Sequence, residues 1–289
     1  MLMDWLLFFS KFVNNNYTMK LSIKEKERLL TKYGEWAIVT GASSGIGLEL
    51  ASQLAEAGFN IMIVARNLDK LKKVQDELET KFNIIVLIVA ADVSSSEGIS
   101  KIIASSKDLK IGLLIVSAGY GTSGYFIDNS IYEEVDMLRV NCEALLILSH
   151  YYGQYFIQQK RGGIILLSSM VAFQGTPYAS NYAATKAYVQ TLAEGLREEF
   201  KPYGVDILAA APGPVESGFG QRAKMKMSMS LTPSQVGVPI LRALGKSTTV
   251  LPGLLTKILV YSLRMVPRNM KVKIMQKVMG GMTGHKLAP

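Results

Sequence analysis

Cysteine and histidine are nearly missing from this chain of 289 residues: Cys142 stands alone, and His150 and His285 are far apart. One cysteine excludes a disulfide framework and a cysteine-built zinc site. Two distant histidines argue against a histidine-dominated metal centre. Long apolar runs are lacking as well. No uncharged stretch reaches the ~18 residues that a membrane-spanning helix needs. The N-terminal Met1-Leu2-Met3-Asp4 has no basic region of the kind that opens a secretory signal. A thiol-reducing, cytoplasmic setting is the expectation. Internal repeats and low-complexity linkers are also absent. Charged residues make up only 19% and hydrophobic ones 49%, with a mean hydropathy of +0.21. That is too apolar for disorder and long enough for one large α/β core.

Acidic residues run out early. Glu216 is the last of them, and twelve Lys and Arg residues follow it within 73 positions. The net charge of +9 therefore comes from the last quarter of the chain. Such polarity points to an anionic partner: nucleic acid, membrane surface or a phosphate-bearing molecule. No nucleic-acid motif accompanies it, so a nucleic acid is not the expected partner.

Alternation is the dominant pattern. Short β-branched runs at 36–40, 60–65, 84–90, 111–117, 163–168 and 205–210 are separated by helical patterns at 45–57, 68–81, 130–158 and 180–201. A last strand is expected at 248–251. Continuous apolar strands mean that both sheet faces are covered. The expectation is an α/β fold: a single Rossmann-type, doubly wound parallel sheet with helices on both faces. Residues 35–253 are expected to form this domain, 1–34 an apolar N-terminal extension and 254–289 a basic amphipathic C-terminal one.

Thr40-Gly41-Ala42-Ser43-Ser44-Gly45-Ile46-Gly47 joins the first strand to the first helix of that pattern. A tight turn, a close backbone and a helix N-terminus suit a pyrophosphate. An acid at the end of the second strand would bind the ribose hydroxyls of NAD, whereas an arginine would pair with the 2′-phosphate of NADP. The sequence there reads Val64-Ala65-Arg66-Asn67, which favours NADP(H) over NAD(H). Asp92, after the third strand, is placed either to accept from the adenine amino group or to cap the turn that follows.

Tyr182 and Lys186 lie four apart on one helix face. A neighbouring ammonium stabilises phenolate and lowers the phenol pKa, which suits a proton donor. Ser168 and Ser169 end the fifth strand on the side where open α/β sheets bind ligands. Asn141 sits inside a long helical pattern where an amide has no propensity reason to be.

Taken together, Thr40–Gly47, Asp92, Asn141, Ser169, Tyr182 with Lys186, and Pro212-Gly213 resemble the short-chain dehydrogenase/reductases over about residues 34–253. The resemblance implies Tyr182 as acid/base, Lys186 as its tuner and ribose ligand, Ser169 as holder of the substrate oxygen, and Asn141 as anchor of a water. Ser169 is preferred to Ser168 because the family spaces serine and tyrosine thirteen apart, as they are here. It further implies cofactor contacts from Gly41, Ser43, Ser44, Gly45, Ile46, Gly47, Arg66, Asp92, Val93, Ala118, Gly119, Pro212, Gly213, Val215 and Ser217, besides Tyr182 and Lys186, and no metal. One departure is Val116-Ser117-Ala118-Gly119, where the family has Asn-Asn-Ala-Gly.

The stretch from Tyr33 to Ala42 is similar to the start of microsomal very-long-chain 3-oxoacyl-CoA reductases and their 17β-hydroxysteroid dehydrogenase relatives. The reading is therefore an NADP(H)-dependent oxidoreductase of an apolar carbonyl or alcohol, acyl-CoA included, and a homo-oligomer. A soluble 3-oxoacyl-carrier-protein-type reductase and a non-catalytic NADP-binding redox sensor are the alternatives.

The tail pattern sets Leu254, Leu255, Ile258, Leu259 and Val266 against Lys257 and Arg264. Beyond Pro267 it sets Met270, Ile274 and Val278 against Lys271 and Lys273. Trp5, Phe8, Phe9 and Phe12 make an apolar face at the other end. Basic amphipathic helices lie on membranes, so peripheral contact with an anionic, cytoplasm-facing membrane is expected. Packing on the domain or on a second subunit is the alternative.

Overall fold

Among the described residues seven parallel strands form one sheet in the order β3-β2-β1-β4-β5-β6-β7. The computed structural model describes residues 19–227 and 229–284. The aromatic face at residues 5–12, and His285 and Lys286, lie outside the described residues. The strands are β1 Trp36–Thr40, β2 Asn60–Ala65, β3 Val86–Ala90, β4 Ile111–Val116, β5 Gly162–Leu167, β6 Val205–Ala210 and β7 Thr249–Val250.

The helices are α1 Ile23–Tyr33, α2 Gly45–Glu56, α3 Leu68–Lys81, α4 Ser96–Ser105, α5 Ile131–Leu138, α6 Ala144–Gln159 and α7 Ser180–Phe200. They continue with α8 Phe219–Arg222, α9 Pro233–Ala243, α10 Leu254–Arg264 and α11 Arg268–Thr283. This is the doubly wound architecture that the apolar runs predict.

Alternate strand residues feed two cores. Val39, Ile63, Leu113, Ile115 and Ile165 pack under α1, α2, α3 and α9. Ile38, Met62, Leu114, Ile164 and Ile207 pack under α4, α6 and α7. Chain order reverses between β1 and β4, so a crevice opens at the carboxyl ends of these two strands.

Two expected elements differ. The third strand begins at Val86 instead of 84, because the Ile85 N–H is taken by the Asn60 side chain at 2.9 Å and its side chain faces solvent. The expected helix over 130–158 is broken into α5 and α6 by a π-helical turn, Arg139–Glu143. There the Ala144 N–H reaches back five residues to the Arg139 carbonyl. The inserted residue re-aims Asn141 without ending the helix.

Part of the N-terminal extension is integral to the fold. Ser22 opens α1 with a capping box to Glu25. At the other end Tyr33 is buried, and its hydroxyl donates to Asp206 Oδ2 at 2.7 Å. Lys32 pairs with the same carboxylate, and Arg28 donates to the Leu241 and Leu244 carbonyls at the end of α9. These contacts tie α1 to the amino-terminal side of β6, away from the crevice. Tyr33→Phe should therefore cost about 2 kcal/mol, the worth of a hydrogen bond to a charged group. Urea unfolding would show this as a lower midpoint at unchanged slope.

Candidate active site

Thr40 ends β1 with a buried hydroxyl that accepts from the Ser117 and Ala118 N–H groups, each at 3.1 Å. Gly41 turns away at φ +70°, and a Cβ there would lie 2.9 Å from the Ala118 backbone. A side chain on Gly47 would collide with the Gly41 carbonyl. Residues 41–47 are thus pressed flat against the end of β4.

Ser44 caps α2 without a side-chain cap bond, and no acid occupies the first turn of that helix. The first N–H groups and the positive end of the helix dipole are left for an external anion. Ser217 lies beside this loop, its Cβ 3.1 Å from where a Cβ on Gly45 would be. Ile46 is packed against the core, and Ser43 is half-buried.

Arg66 is exposed at the end of β2, with Nη1 3.9 Å from Asp92 Oδ2. The other Asp92 oxygen accepts from the Ser94 N–H at 3.0 Å and its hydroxyl at 2.9 Å. The turn-capping reading of Asp92 is therefore realised on one oxygen, and the second faces Arg66. Val93 packs between two of the apolar clusters.

The chemistry-bearing side chains converge nearby. Asn141 Nδ2 donates to the Tyr120 carbonyl at 2.8 Å and to Thr185 Oγ1 at 3.0 Å, and its Oδ1 accepts from the Tyr120 N–H at 3.1 Å. One amide fastens the π turn to the loop after β4 and to α7. A Cβ on Gly119 would lie 2.9 Å from Asn141 Oδ1 and 3.4 Å from Lys186 Nζ. The Ser168 hydroxyl donates to the Lys186 carbonyl at 3.0 Å, which spends it on holding β5 to α7. The Ser169 hydroxyl accepts from the Val171 N–H at 3.4 Å and lies near enough to the Tyr182 phenol to favour its ionised form. Pro212 accepts from the Met170 N–H at 2.9 Å. Val215 bridges to Leu231, and Gly213 lies under Thr256 of α10.

Burial shifts both ends of the Tyr182–Lys186 pair. The Tyr182 phenol is pushed up to about 12 by loss of water, with the Ser169 hydrogen bond pulling it partly back. The Lys186 ammonium is brought down to about 8 by the same cause. This corrects the expectation that the ammonium lowers the phenol. Lys186 Nζ donates to the Leu167 carbonyl at 2.8 Å and stands 5.8 Å from the centre of the Tyr182 ring. Desolvation outweighs charge attraction for a phenol so placed.

Several residues near the site carry no motif signal. Phe219 of α8 stacks on the Tyr182 ring at 5.3 Å between centroids. Arg222, one turn on, lies 3.8 Å from the centre of the Tyr120 ring, whose hydroxyl donates to Asp136 Oδ2 at 2.7 Å. Glu134, 3% exposed, accepts from Thr122 at 2.6 Å, Asn129 at 2.9 Å and Asn181 at 2.6 Å. It clamps the loop after β4 to the turn that precedes Tyr182. Only its place beside a helix start could have hinted at this.

The tail completes the enclosure. Leu263, Met275 and Met279 are buried in one cluster with Tyr178, Tyr182 and Met225, and the Lys226 N–H donates to the Met282 carbonyl at 2.8 Å. Among the described residues no group of three or more His, Cys, Asp or Glu could hold a metal. No helix among them is long and apolar enough to cross a membrane.

Residues 35–228 match the family model described as short chain dehydrogenase. A very-long-chain 3-oxoacyl-CoA reductase-like protein of Arabidopsis thaliana is 37% identical over 188 residues, 63% of this chain and 60% of that one. The match thus spans about three fifths of that relative. A solved structure described by its 7beta-hydroxysteroid dehydrogenase stereoselectivity superposes at TM-score 0.80 and 25% identity, covering 86% of this chain and 98% of the other. A short-chain dehydrogenase from Sphingobium yanoikuyae in complex with NADPH superposes at 0.73 and 25% identity, over 82% and 94%.

The lowered Lys186 pKa has a consequence for stability. Below about pH 8 the folded state carries the cost of burying the ammonium. Between about 8 and the ordinary lysine value near 10.5, the unfolded chain keeps its proton while the folded one loses it, so stability rises with pH. Lys186→Met removes that term. Thermal melts of the two proteins should diverge most at pH 7, with the variant gaining, and draw together by pH 9.5. A difference independent of pH would contradict a lowered pKa.

Proposed function

The chain belongs to the short-chain dehydrogenase family, and from that premise we propose that it is an NADP(H)-dependent oxidoreductase interconverting a carbonyl and a secondary alcohol on an apolar substrate. The observation that carries this reading is the buried Ser169–Tyr182–Lys186 cluster beside a glycine loop backed by an uncapped helix N-terminus. The loop suits a dinucleotide: side chains at 41 and 47 would collide with the Ala118 and Gly41 backbone, so only glycine lets the loop lie this close to β4, and the α2 N-terminus behind it is uncapped. Gly41, Ser43, Ser44, Gly45, Ile46 and Gly47 would hold the pyrophosphate. Arg66, Asp92 and Val93 would hold the adenosine end. Ala118, Gly119, Pro212, Gly213, Val215 and Ser217 would hold the nicotinamide end.

A nicotinamide dinucleotide supplies the hydride in reduction and takes it up in oxidation. The protein's own part is the proton and the oxygen. Ser169 holds the substrate oxygen by its hydroxyl. Tyr182 gives that oxygen its proton in reduction and recovers it in oxidation. At neutral pH a phenol raised to about 12 is fully protonated, as a donor requires. Lys186 stands beside it as the ribose ligand and the route for proton resupply, with Asn141 ordering that route.

The apolar substrate, 3-oxoacyl-CoA or steroid-like, is supported by the methionine-rich cluster of Tyr178, Met225, Met275 and Met279 that packs with Tyr182. Methionine makes an adaptable surface for long or polycyclic shapes. A homo-oligomer is supported by exposed Leu146, Ile147 and Tyr151 on α6 and Tyr188 on α7. The basic tail is the part of this reading that meets an anionic membrane, on the cytoplasmic side.

Two measurements test the assignment. NADPH should bind more tightly than NADH by about 1.5–3 kcal/mol, the scale of a charged hydrogen bond, and Arg66→Ala should erase most of that gap. Equal affinities in the unmutated protein would remove the NADP preference. In a screen of 3-oxoacyl-CoA and ketosteroid substrates, Tyr182→Phe should keep NADPH affinity and lose at least ~100-fold in turnover. Retained turnover would give the proton another source.

A further inference from the structure

The tail is amphipathic twice over. Thr256, Val260 and Leu263 of α10, and Met275 and Met279 of α11, are buried against the body of the protein. Val260 meets Ala211 and Leu251 with Met170 and Phe173, while Leu263, Met275 and Met279 meet the cluster that contains Tyr182. A second apolar row points outward. On α10 it is Leu254, Ile258, Tyr261 and, just past the helix, Met265; on α11 it is Met270, Ile274 and Val278. The spacing of four, three and four residues keeps the α10 row on one face, and Met265 is 88% exposed.

Uncompensated positive charge flanks this row. Lys257, Arg264, Arg268, Lys273 and Lys277 are exposed. Among the described residues none of them forms a salt bridge, and the chain has no acid after Glu216. A third feature adjoins the same cluster through Tyr178. Tyr125 rests edge-on against Tyr178 at 5.3 Å, and beyond it Phe126, Ile127, Ile131 and Tyr132 are all exposed.

We propose that the outer row of α10 and α11, with the 125–132 loop, is a docking surface for an anionic lipid bilayer, and that the substrate reaches Tyr182 from that bilayer past the tail. The first clause deepens the membrane contact proposed above, and the second rests on the apolar-substrate reading. An anionic bilayer satisfies both halves of the surface: headgroups take the lysines and arginines, and the acyl boundary takes the apolar row. A nucleic acid would leave the apolar row in water. A second copy seated by the same tail would set positive charge on positive charge. Because the inner row of the same helices packs in the cluster that contains Tyr182, a molecule leaving the bilayer under this surface has a short path to it.

The test uses the full chain with vesicles of phosphatidylcholine containing 30% phosphatidylserine. The protein should co-sediment with them. Binding should fall as salt rises from 0.05 to 0.5 M, as screened charge attraction requires, and a salt-resistant fraction should remain from the apolar row. The exposed triple variant Ile258→Asp, Met265→Asp, Ile274→Asp should lose at least tenfold in vesicle affinity with NADPH affinity unchanged. Vesicles should raise the apparent kcat/KM for a bilayer-dissolved ketone in the unmutated protein, and do so neither for the variant nor for a small water-soluble ketone.

A full-length protein that stays in the supernatant, or a variant that binds as well as its parent, overturns the docking surface. If the parent ignores vesicles and the variant instead lowers its oligomeric state, the face belongs to a second copy and the proposal falls. Vesicle binding without turnover of any carbonyl would leave the surface standing and remove the enzymatic reading. Turnover without vesicle binding would do the reverse.

Discussion

The Thr40 hydroxyl sits where the parallel sheet has to part. β1 and β4 are the neighbours at which chain order reverses, and beyond Thr40 and Val116 they no longer pair. Their first unpaired N–H groups, on Ser117 and Ala118, would be left without partners in a crowded interior. Thr40 accepts both, so the strands separate at a fixed width without an orphaned donor. The remaining geometry follows from that width. Gly41 can lie on Ala118 because the β4 end is pinned there. The positions that the resembled family fills with Asn-Asn hold Val116 and Ser117, and the bracing at this point comes from a threonine on the neighbouring strand.

A second constraint runs through Asn141. Helices seldom tolerate a buried amide, because it must find partners beyond its own backbone. Here the π turn supplies them. One extra residue rotates Asn141 inward, where it is bonded to both backbone groups of Tyr120 and to Thr185. Those bonds lock the β4 loop to the helix that carries Tyr182 and Lys186. Glu134 makes a parallel lock one layer outward, through Thr122, Asn129 and Asn181. Tyr182 is thus held between two well-bonded polar groups, and its raised pKa is the cost of its dry surroundings.

The sheet was legible because buried parallel strands are continuous apolar runs, and β1, β2, β4 and β6 fall where those runs are. Edges were harder. Ile84 and Ile85 have strand composition, but Asn60 takes the Ile85 N–H with its side chain, a tertiary contact that no local pattern records. The break between α5 and α6 escaped for a related reason: one inserted residue shifts helical phase by 100° and leaves the apolar count unchanged. Ser169 at a strand end and Tyr182 with Lys186 on one helix face were readable from the motifs, whereas the approach of Arg66 to Asp92 at 3.9 Å was not. Nor were Phe219, Glu134 and the Arg222–Tyr120 stack, since each depends on how a loop returns over the crevice. The direction of the Tyr182 shift was also out of reach, because a sequence shows the neighbouring charge and hides the burial that outweighs it.

The tail shows the same limit from the other side. Periodicity separated apolar from basic residues on α10 and α11, yet it could not say which apolar residues face the protein. Thr256, a polar residue, is buried against Gly213, whereas Ile258 and Met265 are in water. Two helices that each carry an inner and an outer apolar row cannot be amphipathic in the ordinary sense, with a single stripe. Their basic residues are confined to what space remains, which sets charge beside the outer row. Such a segment gains stability from its inner face and leaves an outer face that is apolar and flanked by positive charge. That division ties the buried cluster around Tyr182 to the surface beyond it, so whatever meets the outer row lies one helix thickness, ~10 Å, from that cluster.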